Sequence, residues 1–266
     1  MAGTAIGRLA VAVMAACAAI GIGLLLAVCS IAAATPKRFG LRRSDTPSSH
    51  RLIARLRLTS SRPNTATGAI LDLIRPNGPG GKPKPEATGI FQLPKGTRIS
   101  TTAVPACTKD DTTLQLEGES ACPSSHVGEG LATLITGVGP PVDPLTIDDH
   151  WYYAPGQIVA LYTYHGTTEP VLKVGRVRIR GATFIAPLDL PPGYPPGTKT
   201  VPKESDVTLD RYVGPRGSFI TTPATCPASG RWVSRVTLIY DDHTTDSATD
   251  SMRCYGGQSK KRRRPR

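Results

Sequence analysis

Two Asp-Asp-His triplets, at 148–150 and 241–243, carry the residue types in this chain that are best suited to chemistry. Carboxylates beside an imidazole can bind a metal ion or transfer protons. Neighbouring residues on a strand point to opposite faces, however, so a triplet does not converge on one point without help from other elements. Clusters of Asp at strand ends are typical of turns. We therefore interpret both triplets as turns and assign no catalytic residue or metal ligand to them.

The motifs of well-known active sites are missing from the sequence. It contains no Gly-x-Ser-x-Gly, no His-Glu-x-x-His, no phosphate-binding loop and no dinucleotide fingerprint. The sequence thus favours a non-enzymatic role and indicates no cofactor. A secreted hydrolase with dispersed catalytic residues stays open as an alternative, because catalytic triads are defined by geometry and not by their order along the chain.

Four cysteines predict two disulfides. Two of the six cysteines lie in an apolar N-terminal run, and the others are Cys107, Cys122, Cys226 and Cys254. An even number in an exported chain is typical of disulfides. Of the three possible pairings we favour Cys107 with Cys122 and Cys226 with Cys254, because each half of the chain then holds one close pair. A zinc site is the alternative, but there is no Cys-x-x-Cys and no His at ligand spacing.

The aromatic residues concentrate around Trp151, Tyr152 and Tyr153, with Tyr162 and Tyr164 nearby. An exposed strip of such rings stacks on sugars in carbohydrate-binding modules. Alternating Tyr side chains also half-cover a sheet, with their hydroxyl groups reaching water. We favour the core interpretation, and a carbohydrate-binding module that uses Trp151, Tyr152 and Tyr153 is the alternative.

The basicity of the chain belongs to its two ends. The formal charge is +12, yet residues 44–259 carry only +1. The remainder comes from Arg8, from the four cations Lys37, Arg38, Arg42 and Arg43 of an arm over 37–49, and from a C-terminal tail that contains Lys260, Lys261, Arg262, Arg263, Arg264 and Arg266. Such a tail attracts polyanions through salt-sensitive forces. We predict contact with an anionic cell-wall polymer or a lipid surface, and no specific nucleic-acid partner; a solvated end without a partner is the alternative.

The N-terminus has the layout of an export signal. Arg8 precedes an uncharged run over 9–34, which ends in three alanines. The run exceeds the usual length of the apolar region of a signal peptide, about 7–15 residues, and reaches the length of about 20 that spans a bilayer. We favour a cleaved signal peptide over 1–36. A retained signal-anchor helix, which would be the chain's membrane contact, is the second interpretation, and a lipidated Cys29 is the third.

Short alternating segments bounded by Pro and Gly dominate the rest of the chain. They predict strands at 52–58, 69–74, 89–93, 127–136, 157–165, 171–179, 183–190, 206–212, 232–240 and 251–255, with one short helix at 110–117. Strict charged and apolar alternation over 176–180 indicates antiparallel sheets with one solvated face. The predicted fold is all-β, an antiparallel β-sandwich of jelly-roll or immunoglobulin-like type, preceded by the N-terminal signal or anchor helix.

Four regions of the chain are expected. They are the signal or anchor over 1–36, a basic flexible arm over 37–49, the β-sandwich over 50–256 and a basic disordered tail over 257–266. The sandwich has a candidate division into two halves near 138–141, because each half would then carry one disulfide.

Four motifs together carry a resemblance. They are Leu-Pro-Lys-Gly-Thr at 93–97, Ala-Cys-Pro followed by Gly-Glu-Gly within 121–130, Cys-Pro-Ala-Ser-Gly-Arg-Trp at 226–232, and the final Cys254. In this order they resemble a group of exported actinobacterial proteins, over about residues 50–255. The resemblance implies a secreted, β-rich fold and brings no activity with it. The sequence as a whole therefore predicts an exported, surface-associated protein, secreted or held at the cell surface, with a binding or structural role.

Overall fold

The computed structural model describes residues 51–256. Within them sixteen strands, β1 to β16 in chain order, span Ile53–Leu58, Ala66–Thr67, Ala69–Ile74, Glu86–Gln92, Arg98–Ile99, His126–Ile135, Leu145–Ala154, Gln157–Tyr164, Lys173–Arg180, Thr183–Pro187, Val201–Leu209, Val213–Gly214, Gly217–Ser218, Ile220–Thr221, Arg231–Tyr240 and Thr245–Arg253. The α-helix α1 spans Asp111–Glu117, and 3-10 turns span Pro79–Gly81, Gly118–Ala121 and Pro123–Ser125. All the strand pairs in this part of the chain are antiparallel. The predicted all-β, antiparallel class is confirmed.

The larger strands join in one sheet of eleven, in the order β1-β3-β11-β6-β7-β8-β9-β10-β4-β15-β16. The strands β2, β14 and β5 form a small second sheet, and β12 pairs with β13. In the large sheet β11 lies between β3 and β6, and β4 lies between β10 and β15, so strands from both sides of 138–141 interleave. Jelly-roll and immunoglobulin-like sandwiches have two hydrogen-bonded sheets, whereas these eleven strands are hydrogen-bonded in one.

The sheet curves until its edge strands, β1 and β16, lie side by side. Arg57 on β1 donates to Asp250 on β16 twice, from Nε to Oδ2 at 2.6 Å and from Nη2 to Oδ1 at 2.9 Å. Just beyond the strand ends, the Tyr255 N–H donates to the Ser61 carbonyl at 2.9 Å. The sheet therefore has an inner face, enclosed by its own strands, and an outer face.

Alternating side chains fill the inner face. On β15, Trp232, Val236 and Leu238 are buried in a core that draws on all parts of the sheet, including Leu56, Leu73, Trp151, Phe184 and Val207. A cavity lined by such apolar side chains has a volume of only about 30 Å³, which is the share of one water molecule in the liquid. The enclosed core therefore leaves no room for a ligand at this point.

A second, smaller core lies outside β7 and β8, beneath α1 and the first disulfide loop. Its buried members are Cys107, Leu114, Cys122, Tyr152, Ala154, Val159, Leu161 and Val171. The helix begins after Asp110, whose carboxylate accepts a hydrogen bond from the Thr113 N–H at 2.7 Å. The helix predicted over 110–117 is confirmed.

Both predicted disulfides are present, Cys107–Cys122 and Cys226–Cys254. The first closes the loop that contains α1, and the second joins the segment before β15 to the end of β16. The first bond therefore holds α1 over the outer face of β7 and β8, and the second holds the segment before β15 to the end of the edge strand β16.

The predicted signal or anchor over 1–36, the arm over 37–49 and the tail over 257–266 lie outside the described residues. Among residues 51–256, no helix is both long enough and apolar enough to cross a bilayer.

Candidate functional site

Exposed cations gather at one end of the folded sheet, which we call the basic end. At this end lie the loop after β1, the segment after β4, the β9–β10 turn, the loop after β11, the beginning of β15 and the end of β16. The exposed cations placed there are Arg62, Lys95, Arg98, Arg180, Arg211, Arg216, Arg231, Arg235 and Arg253. Within residues 51–256 they form no salt bridge to a carboxylate. Their positive field therefore extends into solvent.

At the opposite end of the sheet, two surface lysines have carboxylate partners. Lys84 Nζ lies 2.9 Å from Asp242 Oδ2, and Lys199 Nζ lies 2.7 Å from Asp241 Oδ2. The small net charge of the folded region is thus unevenly distributed, with its unpaired cations concentrated at the basic end.

A groove opens at the basic end, where β4 leaves the sheet. The β4–β15 ladder ends at the pair Gln92 and Arg235, whereas on the other side of β4 the pairing toward β10 continues one residue further, where the Leu93 N–H donates to the Ala182 carbonyl at 2.9 Å. Pro94 has no N–H to continue the ladder. The groove that results has a volume of about 530 Å³, and its lining includes Gln92, Lys95, Thr183, Val233, Ser234 and Arg235.

Local structure presents the two cations of this groove to solvent. The turn that carries Lys95 is held by Thr97, whose N–H and Oγ1–H both donate to the Pro94 carbonyl, at 3.0 and 2.7 Å. Gly96 has φ of 89° in that turn, a conformation that favours glycine. Alternation along β15 turns Arg235 outward. Neither Lys95 nor Arg235 has a side-chain partner within the described residues.

A buried polar cluster occupies the inner face at the opposite end. Arg75 pairs with Glu86 through two hydrogen bonds, and its Nη1 donates to Ser205 Oγ at 2.9 Å. The side chains of Arg75 and Glu86 are 5% and 0% exposed. Burial raises the pKa of Glu86, and the Arg75 guanidinium opposes that rise. The two buried charges compensate each other, so the ion pair offers no free charge to a ligand.

Asp149 is the second buried acid of the inner face. Its Oδ2 accepts a hydrogen bond from Trp151 Nε1 at 2.8 Å, and its Oδ1 has no hydrogen-bond partner among the described residues. Gly130 lies opposite on β6, and a Cβ there would collide with the Asp149 carboxyl group. Burial, helped by the charge of Asp148, raises the pKa of Asp149 to about 7 against the opposing Trp151 hydrogen bond. Asp149 is 4% exposed, so solvent and substrates do not reach it.

The first Asp-Asp-His triplet lies within β7, in the middle of the sheet, and the turn predicted there is wrong. Alternation directs Asp149 inward and Asp148 and His150 outward, so the three side chains do not converge. The second triplet, at 241–243, forms the turn between β15 and β16, where His243 has φ of 64°. This turn is confirmed.

Histidines on the outer face contact carboxylates. His165 Nδ1 and Asp148 Oδ1 are hydrogen-bonded at 2.9 Å. His150 Nε2 lies 3.2 Å from Glu119 Oε1, close enough for an ion pair when the ring is protonated, although the angle is not that of a hydrogen bond. Within residues 51–256 neither ring is hydrogen-bonded to a Ser or Thr hydroxyl, and His, Cys, Asp and Glu side chains form no group of three that could hold a metal ion.

The aromatic residues that suggested sugar binding are buried. Trp151, Tyr152 and Tyr153 are 9%, 2% and 2% exposed. Trp151 and Tyr153 belong to the inner core, and Tyr152 lies in the core beneath α1, because β7 is covered on both faces. These three side chains therefore form no exposed strip for a sugar, which corrects that alternative in favour of the core interpretation.

The predicted polyanion contact through Lys260, Lys261, Arg262, Arg263, Arg264 and Arg266 falls outside the described residues. Lys95 and Arg235 are functional-site residues that were not predicted. The available signals are the alternation along 231–236, which indicates that Arg235 lies on the solvated face, and the Leu-Pro-Lys-Gly-Thr motif, which contains Lys95. That the two meet at one groove depends on β4 pairing with β15, about 140 residues later in the chain.

Comparison with protein-family models, with curated proteins and with solved structures found no match.

Proposed function

We propose that this chain is an exported, surface-associated binding protein whose basic end engages an anionic polymer of the cell surface. The observation that carries the proposal is the set of exposed cations at the basic end, which lack carboxylate partners within the described residues. Unpaired surface charges attract a polyanion from a distance. Salt shortens this range, and the screening length is about 8 Å at physiological ionic strength.

The described residues end at this same end of the sheet. β16 ends at Arg253, Cys254 is held by the second disulfide, and the sequence runs on from Gly256 into Lys260, Lys261, Arg262, Arg263, Arg264 and Arg266. Two cationic segments on one chain bind a polymer more tightly than either alone, because the second contact becomes intramolecular. An anionic lipid surface is the second partner that the tail would accept.

Export is supported by the two disulfides, since disulfides persist in oxidising compartments outside the cytoplasm. We propose that the segment over 1–36 directs export and is then cleaved. Mass spectrometry of the mature N-terminus tests this, and an intact Met1 in the membrane fraction would favour the retained anchor. We also propose that the chain is related to the exported actinobacterial proteins that its motifs resemble. We propose further that its core is enclosed as in a jelly-roll or immunoglobulin-like sandwich, although the eleven strands around it are hydrogen-bonded in a single curved sheet.

The test of polymer binding is sedimentation with isolated cell-wall material, before and after its anionic polymers are removed. We expect the full chain to sediment with intact material at low salt and to be released at high salt. Deleting 258–266, or combining Arg231→Gln with Arg253→Gln, should weaken retention. The matched control combines Lys84→Gln with Lys199→Gln at the opposite end and should behave as the wild type. Equal retention on intact and stripped material would refute the proposal.

The hydrolase alternative has weaker support. His150 and His165 face carboxylates on the outer face, and neither is hydrogen-bonded to a described Ser or Thr hydroxyl that could act as a nucleophile. A carbohydrate-binding module that uses Trp151 lacks an exposed ring there. Binding through unpaired cations is therefore the function that the described surface supports best.

A further inference from the structure

The groove at the basic end has a chemistry of its own, distinct from the diffuse charge around it. Its lining combines Lys95 and Arg235, both exposed and without side-chain partners in the described part of the chain, with the polar side chains of Gln92 and Thr183. The described lining contains no Asp or Glu. The groove can therefore hold a localised anion that also offers hydroxyl groups.

An apolar surface lies between these polar groups. Val233 is 55% exposed, and it lies two residues from Arg235 on the same face of β15. The aliphatic side chain provides a contact for the C–H face of a ring, while the cations on either side bind its charged substituent. Hydroxyl groups, a negative charge and an apolar ring face are together the features of an acidic sugar.

The polar groups also continue beyond the groove in a row that crosses the strands. Arg180, Thr183, Gln92 and Arg235 are direct cross-strand neighbours on β9, β10, β4 and β15 and so share one face. At about 4.8 Å per strand, the row spans about 14 Å. A peptide that added to the sheet would run along β15 instead, where only 231–234 lie beyond the end of the β4 ladder. The direction of the row therefore favours a sugar chain lying across the strands.

We propose that this groove is a subsite for one acidic sugar residue of the anionic polymer, with its carboxylate or phosphate held between Lys95 Nζ and the Arg235 guanidinium. This assignment rests on the proposed function. The sugar hydroxyl groups face Gln92 and Thr183, and Val233 contacts the ring. Arg180 continues the site toward the next unit of the polymer.

Calorimetry of the full chain with short oligomers tests the subsite. The probes are an oligogalacturonate for a carboxylate, a sugar-phosphate oligomer for a phosphate, a neutral dextran oligomer and oligoglutamate as an acidic peptide. The variants are Lys95→Gln and Arg235→Gln. The control is Arg216→Gln, which removes the same charge at the basic end from a residue that is exposed, unpaired in the described structure and outside the groove.

We expect one or both acidic sugar oligomers to bind, and Lys95→Gln and Arg235→Gln each to weaken that binding by about tenfold, the effect of one charge-assisted hydrogen bond. Arg216→Gln should weaken it much less, and dextran should not bind. The acidic oligomer that binds more tightly shows whether the anionic group of the sugar is a carboxylate or a phosphate. Unchanged melting temperatures would show that the exposed substitutions leave the fold intact.

Other outcomes would overturn the assignment. If Arg216→Gln weakens binding as much as Arg235→Gln, the interaction follows net charge and there is no subsite, although polymer retention by the basic end would stand. If oligoglutamate binds as tightly as the acidic sugars and is equally sensitive to both groove variants, the ligand is an acidic peptide. If the full chain binds none of the polyanions and also fails to sediment with intact wall material, the proposed function fails as well.

Discussion

Trp151 Nε1 donates a hydrogen bond of 2.8 Å to Asp149 Oδ2, two residues away on the inner face of β7. The bond satisfies the buried indole N–H, and within residues 51–256 the second carboxyl oxygen of Asp149 has no hydrogen-bond partner. A carboxylic acid in such a place is stable in its neutral form, because ionisation would bury an uncompensated charge. This relationship makes the core sensitive to pH.

We predict that Asp149→Asn stabilises the protein at neutral and alkaline pH. The pKa of Asp149 is raised from 3.8 to about 7 in the folded chain, so the folded state binds more protons than the unfolded state between these values. Its contribution to the free energy of unfolding is therefore largest below about pH 4, is lost as the pH rises toward 7 and stays lost above, a change on the order of 4 kcal/mol. Asparagine stays neutral and keeps an acceptor for Trp151.

Urea denaturation of both proteins across pH 4–8 measures this difference. Glu204→Gln, on the exposed part of β11, is the control for loss of one negative charge. Wild-type and Asp149→Asn curves that run parallel over the whole range would contradict the prediction.

We predict that substitutions of Arg75 and Glu86, which form the buried ion pair, change the free energy of unfolding in a strongly non-additive way. Arg75→Met leaves Glu86 buried without its partner and should lower the free energy of unfolding by about 3–5 kcal/mol. Combining Arg75→Met with Glu86→Leu removes both charges and should recover most of that loss. Chemical denaturation of the single and double variants measures the coupling, and additive losses would rule out the buried pair.

We predict that the contribution of Asp143 to the free energy of unfolding is lost in acid. It accepts hydrogen bonds from the Thr136 N–H and Oγ1–H, each at 2.7 Å, and from the N–H groups of Gly137 and Gly139 at 2.7 and 3.1 Å. Burial would raise the pKa of Asp143, but these hydrogen bonds outweigh it and lower the pKa to about 2. The stabilisation is therefore present above about pH 4 and is lost as the pH falls toward 2.

Because solvent screens this carboxylate, Asp143→Asn should cost less than the shift in pKa alone implies, about 1 kcal/mol near neutral pH, and should lose less on acidification than the wild type. Thermal melts at neutral and acid pH test the sign, and hydrogen exchange over 136–143 locates the effect. Faster exchange everywhere except in this loop would count against the role assigned to Asp143.

We predict that removing either disulfide lowers the free energy of unfolding. Replacing Cys107 and Cys122 with Ser opens a loop of 15 residues and should cost about 3 kcal/mol, whereas replacing Cys226 and Cys254 opens one of 28 and should cost about 3.5 kcal/mol. Hydrogen exchange should show α1 losing protection in the first variant only. Free thiols at these four positions in the native protein, detected by alkylation before reduction, would contradict both bonds.

Local sequence patterns correctly predicted one strand, the short helix and both disulfides, because each of these depends mainly on residues that are close together in the chain. The strand over 69–74 has the bounds of β3, the helix begins after its Asp110 cap, and each cysteine bonds to its nearer neighbour in the chain. The strand β7 was missed because Asp148 and Asp149 are rare in central strands. The cost of burying Asp149 is reduced by Trp151 and by protonation, neither of which a local pattern reveals.

Alternation, cysteine spacing and charge are properties of neighbouring positions, so the strand character, the crosslinks and the cationic residues follow from the sequence alone. Three features became visible in the folded chain: Lys95 and Arg235 share a groove, Trp151, Tyr152 and Tyr153 are covered, and Asp149 lies inside the sheet. They depend on the strand order, which brings distant segments together, and a local sequence pattern does not reveal which strand will pair with which.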